Sequence, residues 1–521
     1  MKQKRNLPLP VYPFFIAMAS VLSLAAFNIE EMELLSSLRT LLISLLLTMI
    51  LFLLGRCIFR TWHKSAFFTA IVVVLFTSYG QVFDLLQKPV LGIFIGRHRY
   101  LAGVYLILLI LGAWLIARMK RVKVWTRILN LAGIVLVLLP AFQITSYAIR
   151  KADYDRKQAE TASPLSQASQ LVPGENPDIY FIILDTYTRA DTLQEEFGFD
   201  NSGFLDALRK LGFYVADCSR SNYAHTRLAL SSAMNLNYLD DLGVDLSKNT
   251  RDIASLNPYI VHSFVRDQLS QIGYKTAAFR TGYRFTDFTD ADIYFRPAKK
   301  LLLFPFIEPF EYLFIKNTAF RFVMDTHPDL VEKYFKELNF PFSDQYWRVV
   351  STLDDLPGVA QIDDPKFVFV HLDVPHHPFI FLPDGSINPE RKYYPGVYMP
   401  DDMEIRKQGY INQVKYINNA ILPVVESILE NSKKPPVIIL QGDHGLQGGG
   451  RVRILNAIYL PGGAGDSLYP SISPVNTFRV VFNRYFGTHY ELLDDRTYYS
   501  DYEDKMELKL IPETSTSCIT P

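Results

Sequence analysis

The hydrophobic pattern divides the chain into an apolar first part and a mixed second part. Within the first 150 residues, five apolar stretches are long enough to cross a bilayer as helices: approximately 11–28, 38–55, 66–86, 100–117 and 128–148. Five such stretches in a row without polar faces are typical of membrane spans rather than of buried helices in a soluble domain. The pattern therefore predicts a five-span transmembrane region over residues 1–150.

Basic residues in the connecting loops indicate how these spans are oriented. The N-terminus and the loops after the second and fourth spans are rich in Lys and Arg, whereas the loop after the first span contains Glu30, Glu31 and Glu33. Because basic loops remain on the cytoplasmic side, we predict a cytoplasmic N-terminus. An odd number of spans then places everything after Arg150 outside the cytoplasm.

Beyond residue 150, short apolar runs alternate with stretches of helical periodicity. We predict an extracytoplasmic linker over residues 151–176, a folded domain over 177–487 and a peripheral C-terminal tail over 488–521. The strand-like runs are 179–184, 213–216, 276–279, 367–372, 437–440 and 457–460. Strands separated by helices predict an α/β fold with a mainly parallel sheet and helices on both faces. Residues 297–350 fit poorly and indicate a helical insertion or a membrane-facing surface.

Acidic and imidazole side chains follow two of the apolar runs where the strands are predicted to end. Asp185 follows the first run, and Asp443 and His444 follow the fifth. Ligands of open α/β sheets bind outside the carboxyl ends of the strands, and carboxylate and imidazole groups are suited to a divalent metal. Each acid alone could instead cap a helix or bind loop N–H groups. Together they predict a shared metal site.

Thr226 opens a predicted helix, directly after Asn222-Tyr223-Ala224-His225. Unpaired N–H groups and the dipole at a helix N-terminus favour an alkoxide or a bound phosphate. A hydroxyl there, beside a metal, could act as a nucleophile. Taken alone, the residue could equally be a simple N-cap. With Asp185, Asp443 and His444 it makes a four-ligand set suited to Zn²⁺ or Mn²⁺.

A third group of polar residues lies at the end of the run 367–372. His371, Asp373, His376 and His377 fall within seven residues. Imidazoles near a metal can bind it, donate to substrate oxygens or move protons. A surface cluster on a proline-rich loop is the alternative. The position at a strand end favours a functional role. The balanced charge, 53 basic against 53 acidic residues, gives no indication of a nucleic-acid partner.

From about Pro177 to Gly487 the chain resembles the alkaline phosphatase/sulfatase superfamily. It is most similar to the membrane-anchored lipoteichoic acid synthases, phosphoglycerol transferases and phosphoethanolamine transferases. The resemblance implies a three-layer α/β/α catalytic domain on a multi-pass protein of the bacterial plasma membrane. It implies transfer of a phospho-head group from a phospholipid donor to an envelope glycan or lipid. It also implies one divalent ion, Zn²⁺ or Mn²⁺, with Mg²⁺ or Ca²⁺ as alternatives.

The resemblance also implies roles for individual residues. Asp185, Asp443 and His444 match metal ligands, and Thr226 matches a metal-bound nucleophile that carries the phospho-intermediate. The segment His371-Leu372-Asp373-Val374-Pro375-His376-His377-Pro378-Phe379 is similar to an H-x-x-x-P-H-x-P-[FY] motif of the superfamily. It implies catalytic roles for His371 and His376. His377 and Arg189 are expected to contact substrate, and Arg189 with Asp191 matches a recurring pair.

Two departures from the superfamily pattern affect the predicted reaction. Thr186 occupies the position of a second adjacent acid found in sulfatases, and Cys218-Ser219-Arg220-Ser221 does not fit their formylglycine segment. Both features argue against an arylsulfatase. The open alternatives to phosphotransfer are a sulfatase-like hydrolase, acting on phosphodiesters or sulfuric esters, and a non-catalytic protein that binds an envelope polymer.

Overall fold

A computed structural model of the protein divides the chain into two compact units. The N-terminal unit comprises residues 1–159 and 301–344, and the C-terminal unit comprises residues 160–300 and 345–521. The structure describes all residues except 1–8, 30–35, 88–95, 121, 161–170, 173, 175, 245–252, 297–306, 308, 335–341, 389–401, 447, 464–466, 501–507 and 512–521.

Long apolar helices make up the first part of the N-terminal unit. They are α1 (Tyr12–Phe27), α2 (Ser36–Phe59), α3 (Trp62–Gln87), α4 (His98–Arg118) and α5 (Val122–Glu160). Helices α2 to α5 are long and apolar enough to cross a membrane, whereas α1 has 16 residues and is shorter. The chain is therefore a multi-pass membrane protein, and the first of the five spans remains a prediction. Helix α5 continues ten residues into the predicted linker.

The part of the poorly fitting segment over residues 301–344 belongs to the N-terminal unit. It contains α11 (Pro309–Asn317), α12 (Phe320–Thr326) and α13 (Pro328–Tyr334). The backbone N–H of Ala319 donates to the carbonyl of Phe76 in α3 at 2.7 Å. The His98 ring in α4 lies 3.0 Å from the Asp325 carboxylate. The segment is thus a helical insertion that packs against the membrane helices.

A seven-stranded sheet forms the centre of the C-terminal unit. Its strands follow the spatial order β2-β7-β6-β1-β5-β3-β4. They are β1 (Ile179–Leu184), β2 (Tyr214–Val215), β3 (Lys275–Phe279), β4 (Ile293–Phe295), β5 (Lys366–Leu372), β6 (Val437–Gln441) and β7 (Asn456–Tyr459). The pairs among β6, β1, β5, β3 and β4 are parallel, and β7 pairs antiparallel with both β6 and β2. This confirms the predicted α/β class with a mainly parallel sheet.

Helices surround this sheet. They are α6 (Ala190–Phe197), α7 (Ser202–Lys210), α8 (Thr226–Ala233), α9 (Asn257–Val261), α10 (Phe264–Gln271), α14 (Phe342–Asp355), α15 (Met403–Asn431) and α16 (Pro474–Tyr485). All six residues of β1 are buried. Ile179, Phe181 and Ile183 share one core with Phe478 and Phe482 of α16. Because alternate residues of a strand point to opposite faces, both faces of β1 are covered, as in a three-layer α/β/α domain.

The predicted C-terminal tail is packed over its first part. Strands β8 (Thr497–Tyr499) and β9 (Lys509–Ile511) form a separate antiparallel pair. The backbone N–H of Tyr498 donates to the carbonyl of Asn222 at 2.8 Å, and the rings of Tyr498 and Tyr223 stack with centroids 5.4 Å apart. These contacts hold the tail against the segment that precedes Thr226.

Candidate functional site

Three strand ends meet at one point of the sheet because β1 lies between β5 and β6. In this register Ile183 of β1 pairs with His371 on one side and with Gln441 on the other. The backbone N–H of Asp185 donates to the carbonyl of Leu372 at 2.9 Å. Asp185, His371 and Asp443 therefore share the carboxyl edge of the sheet, where α/β proteins bind their ligands.

Two carboxylates and an imidazole converge there with unpaired atoms. Asp185, His371 and Asp443 are buried, and each offers a ligand atom within 4.8 Å of the others. Asp185 Oδ1, Asp443 Oδ2 and His371 Nε2 are buried without a hydrogen-bond partner. Buried polar atoms without partners are costly in a folded protein. A divalent cation would satisfy all three, so the donor set fits a metal such as Zn²⁺.

The Asp443 carboxylate is oriented by its own backbone surroundings. Its Oδ1 accepts the backbone N–H groups of Thr186 at 3.0 Å and of His444 at 2.8 Å. These two bonds leave Oδ2 as the atom that faces the cluster. Glycine is required at position 442, because a Cβ there would lie 2.3 Å from the Tyr187 carbonyl oxygen. The glycine before the acid thus permits the close approach of the two loops.

His444 connects this cluster to the threonine hydroxyl. Its Nδ1 lies 2.7 Å from the Gly445 carbonyl, which can only accept, so Nδ1 carries the proton. The Nε2 lone pair then faces Thr226 Oγ1 at 3.2 Å, with Asp443 Oδ2 at 3.6 Å and Asp185 Oδ1 at 3.9 Å. The structure therefore brings together all four predicted ligands: Asp185, Thr226, Asp443 and His444.

His371 enters the same cluster from β5. Its Nε2 lies 3.3 Å from Asp185 Oδ2, and its Nδ1 lies 3.0 Å from the Thr286 hydroxyl. Burial alone would lower the pKa of the His371 imidazole, but the charge of the nearby Asp185 carboxylate raises it. Burial would raise the pKa of Asp185, but the charges of His376 and His371 hold it below its usual range. An ionised Asp185 is the state that a cation requires.

The segment before Thr226 is fixed by several hydrogen bonds. The Asn222 side chain donates to the Ser473 hydroxyl at 3.0 Å and accepts the backbone N–H of Val475 at 2.9 Å. Arg451 donates to the carbonyl of Ala224 at 2.6 Å. Thr226 itself is the first residue of α8 and is partly exposed. Its hydroxyl is thus held in place while remaining open to a ligand.

The turn after Asp185 has an unusual backbone that a distant tyrosine supports. Thr186 has φ of +63°, a backbone conformation that residues other than glycine rarely adopt. The Tyr410 hydroxyl donates to the Thr186 carbonyl at 2.7 Å and accepts the backbone N–H of Thr188 at 3.1 Å. Both bonds are buried. Tyr410 of α15 therefore acts as a positioning residue for Asp185.

We expect Tyr410→Phe to loosen this turn without emptying the core. Leaving a buried N–H and a buried carbonyl unpaired should cost about 1–3 kcal/mol of unfolding free energy. Metal affinity should fall about 10–100-fold, as for other supporting contacts around metal sites. Equilibrium dialysis with Zn²⁺ and thermal unfolding measure the two effects. Tyr416→Phe is the control in the same helix, since its ring stacks on Phe381 at 4.1 Å. Equal metal affinity in the two variants would contradict the positioning role.

The other histidines of the motif lie on a loop held by α15. The Gln413 amide donates to the carbonyls of Pro375 at 3.0 Å and His376 at 2.7 Å. The rings of His376 and His377 stack with centroids 4.1 Å apart, and His376 Nδ1 contacts the His377 carbonyl. The roles predicted for these two histidines remain predictions.

Arg189 has firm protein partners. Its Nε and Nη2 donate to the Asp191 carboxylate at 2.8 and 2.5 Å, and its Nη1 donates to the Ser219 carbonyl at 3.2 Å. The pair of Arg189 and Asp191 noted in the sequence is therefore a local bidentate ion pair, and the bond to Ser219 links it to a second loop. Substrate contact by Arg189 remains a prediction.

Sequence reasoning missed two groups beside the cluster. Arg348 donates to the Asp373 carboxylate at 3.0 Å, and both side chains are buried. Tyr283 lies with its ring centroid 6.2 Å from that of His371. Burial, together with the charges of Asp373 and Asp185, raises the pKa of its phenol, which therefore stays protonated. These residues could not be predicted as part of the site because they are far from the strand ends in the sequence. No local pattern connects α14 or residue 283 to those ends.

The chain was compared with known protein families, curated proteins and solved structures. No family model and no curated protein matches the chain. The chain is similar to the C-terminal periplasmic domain of EcEptC from Escherichia coli, with 14% identity and a TM-score of 0.40 over 66% of this chain and 96% of that one. It is similar to the corresponding domain of phosphoethanolamine transferase EptC from Campylobacter jejuni, with 12% identity and a TM-score of 0.35 over 59% and 89%.

A full-length membrane protein is also among the similar structures. This is the lipooligosaccharide phosphoethanolamine transferase A (EptA) from Neisseria meningitidis, with 12% identity and a TM-score of 0.33 over 87% of each chain.

Proposed function

We propose that the protein is a metal-dependent phosphotransferase that moves a phospho-head group from a membrane phospholipid to a cell-envelope acceptor. The observation that supports this most directly is the Thr226 hydroxyl, 3.2 Å from His444 Nε2 beside buried carboxylates with unpaired oxygens. A hydroxyl beside an imidazole and a cation-binding cluster is suited to nucleophilic attack on phosphorus. The head group would be phosphoglycerol or phosphoethanolamine.

The residues that would hold the ion are Asp185, Asp443, His444 and Thr226, with His371 Nε2 as a further donor. A bound divalent cation, Zn²⁺ or Mn²⁺ on these ligands, would lower the pKa of the hydroxyl and neutralise charge on the phosphoryl oxygens. The two carboxylates fix the site at the sheet edge. The N-terminus of α8 adds unpaired N–H groups where negative charge would develop.

In the first half-reaction, Thr226 Oγ1 attacks the phosphorus of the donor. An Oγ1–P bond forms while the bond from phosphorus to the diacylglycerol oxygen breaks, and diacylglycerol leaves with a proton. His376, and His371 where its Nε2 does not hold the ion, would donate to the non-bridging oxygens or to the leaving oxygen. In the second half-reaction, an acceptor hydroxyl attacks phospho-Thr226 and restores the threonine. Enzymes accelerate phosphoryl transfer mainly by positioning the reactants and neutralising charge in the transition state.

The membrane unit fits this chemistry because the donor is itself a lipid. Loop charges support a cytoplasmic N-terminus and an extracytoplasmic catalytic unit in a bacterial plasma membrane. An envelope glycan or lipid would be the acceptor on that side. A nucleic-acid partner has no support in the balanced charge of the chain.

The experiment that tests the proposal is mass spectrometry of the full-length protein after incubation with Zn²⁺ and mixed phospholipids. We expect one covalent adduct, localised to the peptide that contains Thr226, whose mass equals a phospho-head group. Release of diacylglycerol should accompany it. Head-group release without any adduct, together with bound metal, would favour the hydrolase instead. Absence of both metal and turnover would favour a non-catalytic binding protein.

A further inference from the structure

An elongated cavity lies within the N-terminal unit, away from the residues discussed so far. Its volume is about 670 Å³, and its walls come from α2, α3 and residues 307–320 of the insertion. Most of the wall is aliphatic or aromatic. Representative lining residues are Ile43, Leu47 and Leu54 of α2, Phe76 of α3, and Phe314 and Ile315 of α11.

The cavity follows the length of a membrane-spanning helix. Its lining residues on α2 extend from Arg39 to Leu54, which corresponds to about 22 Å along the helix axis. A bilayer has a hydrocarbon core about 30 Å thick. Leu47 and Leu54 line the cavity with more than half of their side chains exposed. In a membrane these surfaces contact acyl chains, so the expected occupant is long, narrow and apolar.

One end of the cavity carries charged side chains, whereas the hydroxyls of Thr48, Thr77 and Thr318 elsewhere in its wall donate to nearby backbone carbonyls. Arg39 and Glu311 form an ion pair at the charged end, with the Arg39 side chain 34% exposed and that of Glu311 buried. Thr40, which also lines the cavity, is 6% exposed, and its hydroxyl is buried without a hydrogen-bond partner. A guanidinium is well suited to bind phosphate oxygens. An unpaired hydroxyl beside it offers a donor to an ester or phosphate oxygen.

We propose that this groove binds a diacyl phospholipid, with one acyl chain along α2 and the phosphate at Arg39. The apolar length requires a hydrocarbon chain, and the single polar end requires a head with an anionic group next to that chain. A diacyl phospholipid combines both. The polar end of the groove, at Arg39, lies near the start of α2, next to the acidic loop after the first span. The predicted orientation therefore places the phosphate in the outer leaflet. This inference goes beyond the proposed reaction and does not require Thr226 to be catalytic.

Photochemical labelling of the full-length protein in vesicles tests the site. The probe is phosphatidylethanolamine with a diazirine on one acyl chain, and labelled peptides are identified by mass spectrometry. We expect labels on the α2 peptide and on residues 309–320. Leu47→Trp should reduce this labelling about fivefold or more, since the larger side chain fills the groove. Leu46→Trp is the matched control, because Leu46 is on the same helix, similarly exposed and outside the lining.

A second comparison tests the polar end. Wild-type protein should label more strongly with the phospholipid probe than with a diazirine diacylglycerol, which lacks phosphate. Arg39→Gln should remove that preference. Equal labelling in the Leu46 and Leu47 variants, or equal labelling of the wild type by both probes, would overturn the proposal. Measuring in a Thr226→Ala background separates binding from turnover, so failure of the proposed reaction would leave this result unchanged.

Discussion

Replacing Thr226 with alanine is expected to abolish transfer, with a loss on the order of 10³-fold or more, as for other removed nucleophiles. The reason is that Thr226 Oγ1 is the atom 3.2 Å from His444 Nε2 and beside the carboxylate pair. No other hydroxyl among the described residues has been found in contact with His444. Head-group transfer from a labelled phospholipid, followed by the covalent adduct on the protein, is the measurement.

The matched variant is Thr226→Ser, which keeps the hydroxyl and removes only a methyl group. It should retain the adduct and measurable transfer, because the nucleophilic atom is preserved. Neither change should unfold the protein, since Thr226 is partly exposed and alanine is a good helix former. Full transfer by the alanine variant, with the same metal content as wild type, would reject Thr226 as nucleophile. Loss of metal in both variants would instead indicate a ligand role without covalent chemistry.

Much of this site was predictable because strand ends leave a local signature in sequence. Asp185, Asp443 and His444 each follow an apolar run, and the carboxyl ends of parallel strands lie at one edge. The structure places these residues and Thr226 within one cluster. The predicted run 367–372 likewise appears as β5 (Lys366–Leu372). The local pattern together with one topological rule was therefore sufficient to bring Asp185, Asp443 and His444 together, whereas Thr226 was added from its predicted place at a helix N-terminus.

The position of His371 at a strand end was predicted, but its direct contact with Asp185 could not be predicted in the same way. His371 lies inside β5, one residue before its end, and it meets Asp185 only because β5 is adjacent to β1. Strand order depends on packing over the whole sheet, which no local pattern records. Tyr410 is a similar case, since it reaches the Thr186 carbonyl from a sequence distance of 224 residues. Supporting residues of a site are thus harder to predict than those that perform the chemistry.

Helix boundaries show a third limit. The helical periodicity of residues 258–272 predicts a single helix. In the structure α9 ends at Val261 and α10 begins at Phe264. Ser263 accounts for the break, because its side chain accepts the backbone N–H of Arg266 as an N-cap. The short strand β4 and the helix α6 were also missed, since neither has a long periodic pattern. These differences leave the strand ends, and so the site, unchanged.

Replacing Asp443 with asparagine is expected to abolish metal binding while preserving the local fold. The amide oxygen of asparagine can keep the two backbone bonds that Asp443 Oδ1 accepts from Thr186 and His444. Only the atom that faces the cluster changes, from a carboxylate oxygen to an amide nitrogen, which is not a metal ligand. Zn²⁺ affinity should fall at least about 100-fold, since even supporting contacts are worth 10–100-fold. Bound metal per protein after dialysis is the direct measurement.

Thermal unfolding with and without metal distinguishes a ligand from a merely structural acid, because the two predict opposite signs. In chelator, Asp443→Asn should be at least as stable as wild type, since it removes one of two like charges that lie within 4.8 Å of each other with His371. In Zn²⁺, wild type but not Asp443→Asn should gain stability, by about 3 kcal/mol at a hundredfold excess over the dissociation constant. Asp178→Asn is the control at the opposite end of β1, where Asp178 pairs with Lys366 at 2.5 Å. That variant should lose stability in both conditions and keep the response to Zn²⁺. If Asp443→Asn also kept the response, the carboxylate at the end of β6 would not be a metal ligand, and the chemistry proposed for Thr226 would need another source of charge.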